Sequence, residues 1–494
     1  MKDQKKRAER ILRELRTGSS AFWERVGKST ALRVSKSAVR DIPAYRDFVK
    51  AKKISTWKDF EALPIIDKKT FLRKYPLEKL TRTALAGTIV YSSTSGSTGK
   101  PFYFPRNDVI DWQYSVILES FLQSASPNYA KQRTLVIVGF GMGVWIGGVI
   151  AYRAFEYIGE RIGGHISIIT PGINKKEILN SLRDLSPQYD QTILIGYAPF
   201  TKDILDEAEE EGIPLKKLHL KLLFAAEAFT EAFRDYLVAK TGIRNPCNET
   251  LNTYGTSDIG AVASETPVSI FLRRLIFSKP GAAERVFGKI ERTPTLAQYN
   301  PHFIHFESIG GELVFTGDSE LPLVRYAIGD HGGVYSFTEM QEMLRPFGID
   351  IRREAQKHGL PVYELPFVYV YERTDMSTTL YGLQVYPETI RNVLIEDRFQ
   401  NVLTGKFTLM TIFDKRKDQH LEIHIEQKRN RKIGKSEALA LRAAIVAALR
   451  RHNSEFRELS DYLGKRATPV LRFWGVGEPP YFVPGVKQKW VKKA

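Results

Sequence analysis

Tyr91-Ser-Ser-Thr-Ser-Gly-Ser-Thr-Gly-Lys-Pro101 is a run of hydroxyl residues and glycines closed by a lysine. It follows directly on Thr88–Ser92, a β-branched run that reads as a strand. Gly96 and Gly99 let the backbone approach an anion closely and adopt positive φ. The hydroxyls of Thr94, Ser95, Ser97 and Thr98 can donate to phosphate oxygens. Lys100 adds a positive charge, and successive N–H groups can form an anion-binding nest. This is not the Walker-type loop. Pro101 stands where Ser or Thr is required after Gly99-Lys100, and Thr94 takes the place of the first glycine. A flexible linker would not normally separate a strand from the aromatic Pro101-Phe-Tyr-Phe-Pro105.

Downstream of this loop, short apolar runs alternate with amphipathic stretches. Thr134–Val138, Ile166–Ile169, Thr192–Ile195 and Leu220–Phe224 are expected strands; Lys202–Glu211 and Thr230–Thr241 are expected helices. Such alternation implies an α/β domain of helix-flanked, largely parallel sheets. Residues 1–80 read as helical, broken at Ile42-Pro43 and Leu63-Pro64, because proline disfavours helix at the residue before it. A second zone begins near Glu372. It holds a turn and helix over Val385–Leu394, strands at Phe407–Phe413, His420–Glu426 and Val470–Trp474, and a helix over Lys435–Arg451 with Ser436 as its expected cap. The expected division is a large N-terminal domain over 1–373 and a small α+β C-terminal lid over 374–494.

Lys and Arg total 73 against 56 Asp and Glu, a formal charge of +17, which favours anionic partners without choosing among them. No helix-turn-helix, zinc-finger or RNA-recognition signature accompanies the charge, so no nucleic-acid partner is expected. The single cysteine, Cys247, rules out an intrachain disulfide framework and suits a reducing compartment. Met1–Arg16 is charged throughout and does not read as a signal peptide. The most apolar stretch, Leu135–Ala151, carries five glycines and reads as a strand, a loop and a helix start instead of a membrane span. The expected location is cytoplasmic.

The loop Tyr91–Pro101 resembles the phosphate loop of the adenylate-forming superfamily, which includes acyl-CoA synthetases, and further stations follow in the family's order. Asn252-Thr-Tyr-Gly-Thr-Ser-Asp258 is similar to Asn-x-Tyr-Gly-x-Thr-Glu. The resemblance implies that Tyr254 stacks on adenine, that Gly255 and Ser257 line the nucleotide, and that Asp258 takes part in catalysis as a magnesium ligand. Ala225-Ala-Glu-Ala-Phe-Thr230 resembles the Gly-Gly-Glu station that lies against adenine, with Glu227 as the matched acid and both glycines replaced by alanine. Leu321-Pro-Leu-Val-Arg-Tyr-Ala-Ile-Gly-Asp330 resembles the station Arg-Tyr-x-x-Gly-Asp, which implies that Asp330 accepts both ribose hydroxyls, as a carboxylate can. Glu372-Arg-Thr-Asp-Met resembles the family hinge, giving Arg373 to the nucleotide and Asp375 to the hinge. Gly382-Leu-Gln-Val-Tyr-Pro387 matches the loop that enters the site during thioester formation. Pro484-Gly-Val-Lys-Gln-Lys-Trp-Val491 resembles the terminal catalytic station, with Lys487 as the catalytic lysine and Lys489 as the alternate.

Three other stretches resemble the phenylacetate-CoA ligase-like branch. They are Ala38–Arg46 with Phe60–Lys68 and Tyr75-Pro76, the glycine loop Gly139–Gly148, and the turn Gly196-Tyr-Ala-Pro199. The implied activity is an ATP-dependent ligase. It forms an acyl-adenylate of a small carboxylic acid, aryl or hydrophobic, and passes the acyl group to coenzyme A. Alternatives keep the adenylate and change the acceptor to an amine or to the phosphopantetheine of an acidic carrier protein. The implied cofactors are ATP, Mg2+ and coenzyme A, and Trp145, Tyr197, Gly255 and Gly260 are expected to line the acid. Residues 266–303, basic and apolar together, look like an insertion that could touch a membrane surface, a carrier protein or a long substrate, or pack over the pocket; Phe337–His358 looks like a second addition.

Overall fold

The structure is a computed structural model that describes residues 2–50, 53–93, 101–144, 146–288, 294–371, 378–394, 396–482 and 491. Helices Lys2–Thr17 and Ser20–Asp41 open the chain, and Ile42 breaks into extended backbone before Pro43 starts the helix Pro43–Phe48. Strands β1 (Val90–Ser93) and β2 (Tyr103–Arg106) form an antiparallel hairpin of their own, apart from the main sheet.

The main sheet has 11 strands. In chain order they are β3 (Thr134–Gly139), β4 (Ile166–Ile169), β5 (Gln191–Gly196), β6 (Leu220–Ala225), β7 (Thr250–Thr256), β8 (Gly260–Ser264), β9 (Thr295–Gln298), β10 (Ile304–Ile309), β11 (Glu312–Gly317), β12 (Leu323–Tyr335) and β13 (Phe367–Tyr371). Their spatial order is β10-β11-β12-β13-β9-β8-β7-β6-β5-β3-β4. The parallel character expected from the sequence lies in β4-β3-β5-β6-β7, whose central strands are continuous apolar runs covered on both faces. From β7 to β10 every pairing is antiparallel. The α/β class therefore holds, with an antiparallel half attached to the parallel one.

Beyond the described end of β13 the chain builds smaller sheets. β14 (Thr378–Leu380) and β15 (Leu383–Val385) form a hairpin; β16 (Leu403–Phe413), β17 (Gln419–Gln427) and β18 (Val470–Trp474) form a three-stranded sheet under the helices Lys435–His452 and Ser454–Leu463. Ser436 is not the cap of the first of these helices. Gly434 holds the cap position and its N–H donates to the Glu437 carboxylate at 2.9 Å, leaving Ser436 inside the first turn. Buried Val491 bridges beside Leu409 of β16.

The two segments expected to be additions pack on each other. Val268, Leu272 and Ile276 of helix Pro267–Ser278 share one core with Phe337, Met340, Leu344 and Ile351 from the 337–358 region. Among the described residues of 266–303 the apolar side is thus turned inward, and Phe277 is the exposed large hydrophobic residue. No described helix is long and apolar enough to cross a membrane.

A buried ion network braces β7. Arg234 and Glu265, both 0% exposed at the side chain, pair at 2.7 Å, and Arg234 also reaches Glu231 at 3.0 Å and the Thr250 hydroxyl at 2.6 Å. The other Glu265 oxygen accepts the Asn252 N–H at 2.9 Å. Removing one partner of a buried pair leaves an uncompensated charge, which costs about 3–5 kcal/mol. Arg234→Met should therefore lower the urea-unfolding free energy by about 3 kcal/mol, since Arg273 stays near Glu265.

Candidate active site

The strands that carry the expected nucleotide residues, β7 and β12, are separated by β13, β9 and β8 in the sheet, and a side-chain hydrogen bond joins them. Tyr254 lies near the end of β7 and Asp330 on the long strand β12, and the Tyr254 O–H donates to the Asp330 carboxylate at 2.5 Å. Asn252, at the start of the same station, donates through its side chain to the Glu227 carbonyl at 3.0 Å, tying the turn after β6 to β7. Gly255 faces Ala261 across the β7–β8 hairpin, and Gly260 closes that hairpin with φ 86°. A Cβ on Gly260 would stand 2.4 Å from Ile110, so no larger residue fits there. Ser257 accepts, at its carbonyl, a 2.9 Å bond from the Ser92 hydroxyl of β1, which places the root of the loop 94–100 beside this station.

Asp258 is buried, 4% exposed, and a buried carboxylate needs partners. It has three. The Tyr326 O–H donates to Oδ2 at 2.6 Å, the Lys68 ammonium lies 3.0 Å from the same oxygen, and the Ser257 hydroxyl donates to Oδ1 at 3.2 Å. A carboxylate has about four lone-pair positions, so these bonds leave Asp258 able to take the expected magnesium ion as a single protein ligand beside substrate phosphates. Among the described residues no three His, Cys, Asp or Glu side chains gather around a metal position. Lys68 and Tyr326 are site residues that the sequence reading gave no role. Ile66 sets Lys68 in place: it bridges beside Tyr326, accepting from the Ala327 N–H at 2.9 Å and donating to the Arg325 carbonyl at 3.0 Å. Lys68 also lies over the Phe104 ring of β2, 5.6 Å from its centre.

Glu227, expected to lie against adenine, sends its carboxylate across a seam. The carboxylate accepts from the Gly382 N–H and, at 3.4 Å, from the Gln419 side chain, so it bonds to β14–β15 and β17. The hairpin that meets it turns through Tyr381 and Gly382 with φ 47° and 84°, the two positive values of a type I′ turn. Gly382 sits against Tyr197; a Cβ there would be 2.1 Å from the ring. Tyr197 packs edge-on against Phe140 at 4.9 Å, and the Gly141 N–H donates to its oxygen. Burial first, and then Glu455, push the Tyr197 phenol far above its usual range. The seam is also charged: Lys202 pairs with Asp418 of the C-terminal part and, at 2.9 Å, with Asp206, while Arg466 reaches Asp203 at 3.0 Å.

The remaining expected residues lie outside the described ones. They are Thr94, Ser95, Gly96, Ser97, Thr98, Gly99 and Lys100 of the loop, Trp145, Arg373, Asp375, Lys487 and Lys489. Cys247 is half-buried and its thiol is pushed up to about 11, chiefly by burial, so it stays protonated and is no nucleophile at neutral pH.

No protein-family model matches the chain, and no curated protein matches it. Solved structures of a 2-hydroxyisobutyryl-CoA ligase are similar to it nearly end to end. One, in complex with 2-HIB-AMP and CoA in the thioesterification state, has a TM-score of 0.60 at 16% identity and covers 97% of this chain and 91% of that one. Another, in the postadenylation state with R3-HIB-AMP, has a TM-score of 0.51 at 14% identity over 97% and 91%. A third, an open conformation with 2-HIB-AMP and CoA, also has 0.51, at 15% identity over 96% and 92%. At these identities the likeness is one of fold.

Ala226, at the second of the two alanines before Glu227, has φ 75°. A non-glycine residue there is strained by about 1–2 kcal/mol, part of which glycine's extra freedom in the unfolded chain offsets. Ala226→Gly should raise the unfolding free energy by about 0.5–1 kcal/mol, measured by urea denaturation. A loss of stability would mean that the turn is not strained.

Proposed function

We propose that the protein is an ATP-dependent ligase that activates a small carboxylic acid as its acyl-adenylate and then transfers the acyl group to the thiol of coenzyme A. The observation that carries this reading is the joining of Tyr254 and Asp330 by a 2.5 Å hydrogen bond between β7 and β12. It brings together the ring proposed to stack on adenine and the carboxylate proposed to hold the ribose. The hydroxyl-rich loop 94–100, anchored between β1 and β2, is proposed to hold the β- and γ-phosphates. Lys68 beside Asp258 supplies a fixed positive charge on that side of the site, where charge builds as pyrophosphate leaves.

In the first step the acid's carboxylate attacks the α-phosphorus of ATP in line and pyrophosphate departs. Lys487 is proposed to bridge the acyl and phosphate oxygens. In the second step the C-terminal part, turning about Asp375, withdraws Lys487 and brings in the hairpin 380–383. Hinge closure of this kind gates catalysis in many enzymes. The packing of Gly382 on Tyr197, and the higher TM-score against the thioesterification state than against the postadenylation state, support an arrangement suited to the second step. Aromatic Phe140 and Tyr197 suit an aryl or hydrophobic acid.

ATP–pyrophosphate exchange over a panel of aryl, fatty and amino acids, with and without coenzyme A, tests the whole reading. Acid-driven exchange with thioester and AMP as products is the expected result. Exchange without a thioester would move the acceptor to an amine or to a carrier protein's phosphopantetheine. No exchange with any acid would overturn the assignment. Two variants divide the steps. Lys487→Ala should abolish exchange yet still form thioester from a supplied adenylate. Gly382→Ala, whose added methyl collides with Tyr197, should do the reverse, with thioester formation falling at least about 100-fold; each 1.4 kcal/mol of lost fit is about tenfold in rate.

A further inference from the structure

Glu455 lies in the first turn of the helix Ser454–Leu463, on the C-terminal side of the seam. Asn453, the cap of that helix, donates through its side chain to the Gln384 carbonyl at 3.0 Å. The first turn is thereby fixed to the hairpin strand that follows Gly382, and Gly382 itself lies on the Tyr197 ring. Glu455 comes near enough to Tyr197 to raise the phenol, and it does so more strongly than Glu227 or Glu458. The carboxylate is half-buried, and among the described residues no cation pairs with it. A charged group set down in a seam without a counter-ion is costly to keep for structure alone.

We propose that Glu455 is the base that takes the proton of the attacking thiol in the acyl-transfer step. The assignment rests on the ligase reading above and deepens it. The thiol S–H gives its proton to the Glu455 carboxylate. The sulfur forms its bond to the acyl carbonyl carbon, the carbon–oxygen bond to the phosphate of the adenylate breaks, and AMP leaves with the electron pair. Glu455 then releases the proton to solvent. The base and the hairpin ride on the same part of the chain, so the arrangement that admits the thiol also delivers its proton acceptor.

Burial, with a smaller contribution from Glu458, pushes the Glu455 carboxyl up to about 7. A base titrating near the working pH is the most effective kind. The groups facing it are Glu458 on its own helix and Tyr197 across the seam, with Glu227 also bearing on that phenol. None of these is a cation that would hold the carboxyl low. Thioester formation should therefore rise with pH through about 7 as Glu455 loses its proton, and level off above.

The test uses the full-length chain, coenzyme A, and phenylacetic, benzoic, octanoic and amino acids as probes. Exchange between ATP and pyrophosphate reads the first step; thioester formation from the corresponding adenylate, followed from about pH 5.5 to about pH 8.5, reads the second. Glu455→Gln should leave exchange within about twofold and lower kcat for thioester formation about 100-fold, the usual worth of a positioned base, with the rise through about pH 7 gone and KM for coenzyme A little changed. Glu455→Asp, which keeps the carboxylate at shorter reach, should restore the pH-dependent rise at a reduced rate. An unchanged rate and pH profile in the Gln variant overturns the base while the ligase reading stands. No exchange and no thioester from the native chain with every acid overturns both.

Discussion

The Glu227 carboxylate is the joint on which the described arrangement turns. It is 7% exposed, and two of its hydrogen bonds come from beyond β13, from the Gly382 N–H and the Gln419 side chain. A hydrogen bond to a charged group contributes about 1.5–3 kcal/mol, and a buried carboxylate deprived of one is costly to leave. Where Glu227 sits therefore fixes where the hairpin 380–383 sits. The hairpin in turn fixes Gly382 on the Tyr197 ring, a contact closer than any side chain allows. The strained Ala226 just before Glu227 shows that the turn is held by its surroundings and not by its own preference.

Beside the apolar core that the two parts share, the seam carries charge pairs and ring contacts. Lys202–Asp418 and Arg466–Asp203 are charge pairs across it, and Phe233 meets Phe413 at 6.1 Å. Neither kind is overwhelming. Paired charges at a seam must be weighed against their desolvation, and each can find water or a new partner when separated. A joint of this make can hold one arrangement and release it for another within a few kcal/mol, which is the condition for a protein that visits two states.

Much of this is legible in the sequence, and the failures are physical. Continuous apolar runs mark β3, β5 and β6 to within a residue or so, because a strand covered on both faces has no other way to read. Tyr254 and Asp330 stand out as candidates because each sits inside an ordered local motif. Lys68 is not: its role comes from the bridge of Ile66 to β12 and a long-range pairing with Asp258, and neither leaves a local trace. Glu227 reads as a nucleotide residue because its neighbours match that station, yet the partners of its carboxylate lie far along the chain. The antiparallel half escapes for a related reason, since alternation of strand and helix speaks only for parallel units. Ser436 misleads because a serine near a helix start is a good cap only at one position, and the Glu437 bond to the Gly434 N–H sets that position ahead of it in the chain.

The two parts of the chain divide the labour of the proposed chemistry. Tyr254, Asp258, Asp330 and Lys68 all lie before β13 and are bonded to one another within or beside the main sheet. Gly382, Gln419 and Glu455 all lie after it, on elements tied together by the Asn453–Gln384 and Tyr381–Gln419 bonds. In the proposed chemistry, a rotation of the C-terminal part would change which groups face the acyl carbon without disturbing those proposed to hold the nucleotide. If the two sets were interleaved along the sheet, each turn would break the Tyr254–Asp330 and Lys68–Asp258 contacts and let the adenylate go before its transfer. Segregating the groups by chain position would let the proposed site run two reactions in succession on a bound intermediate.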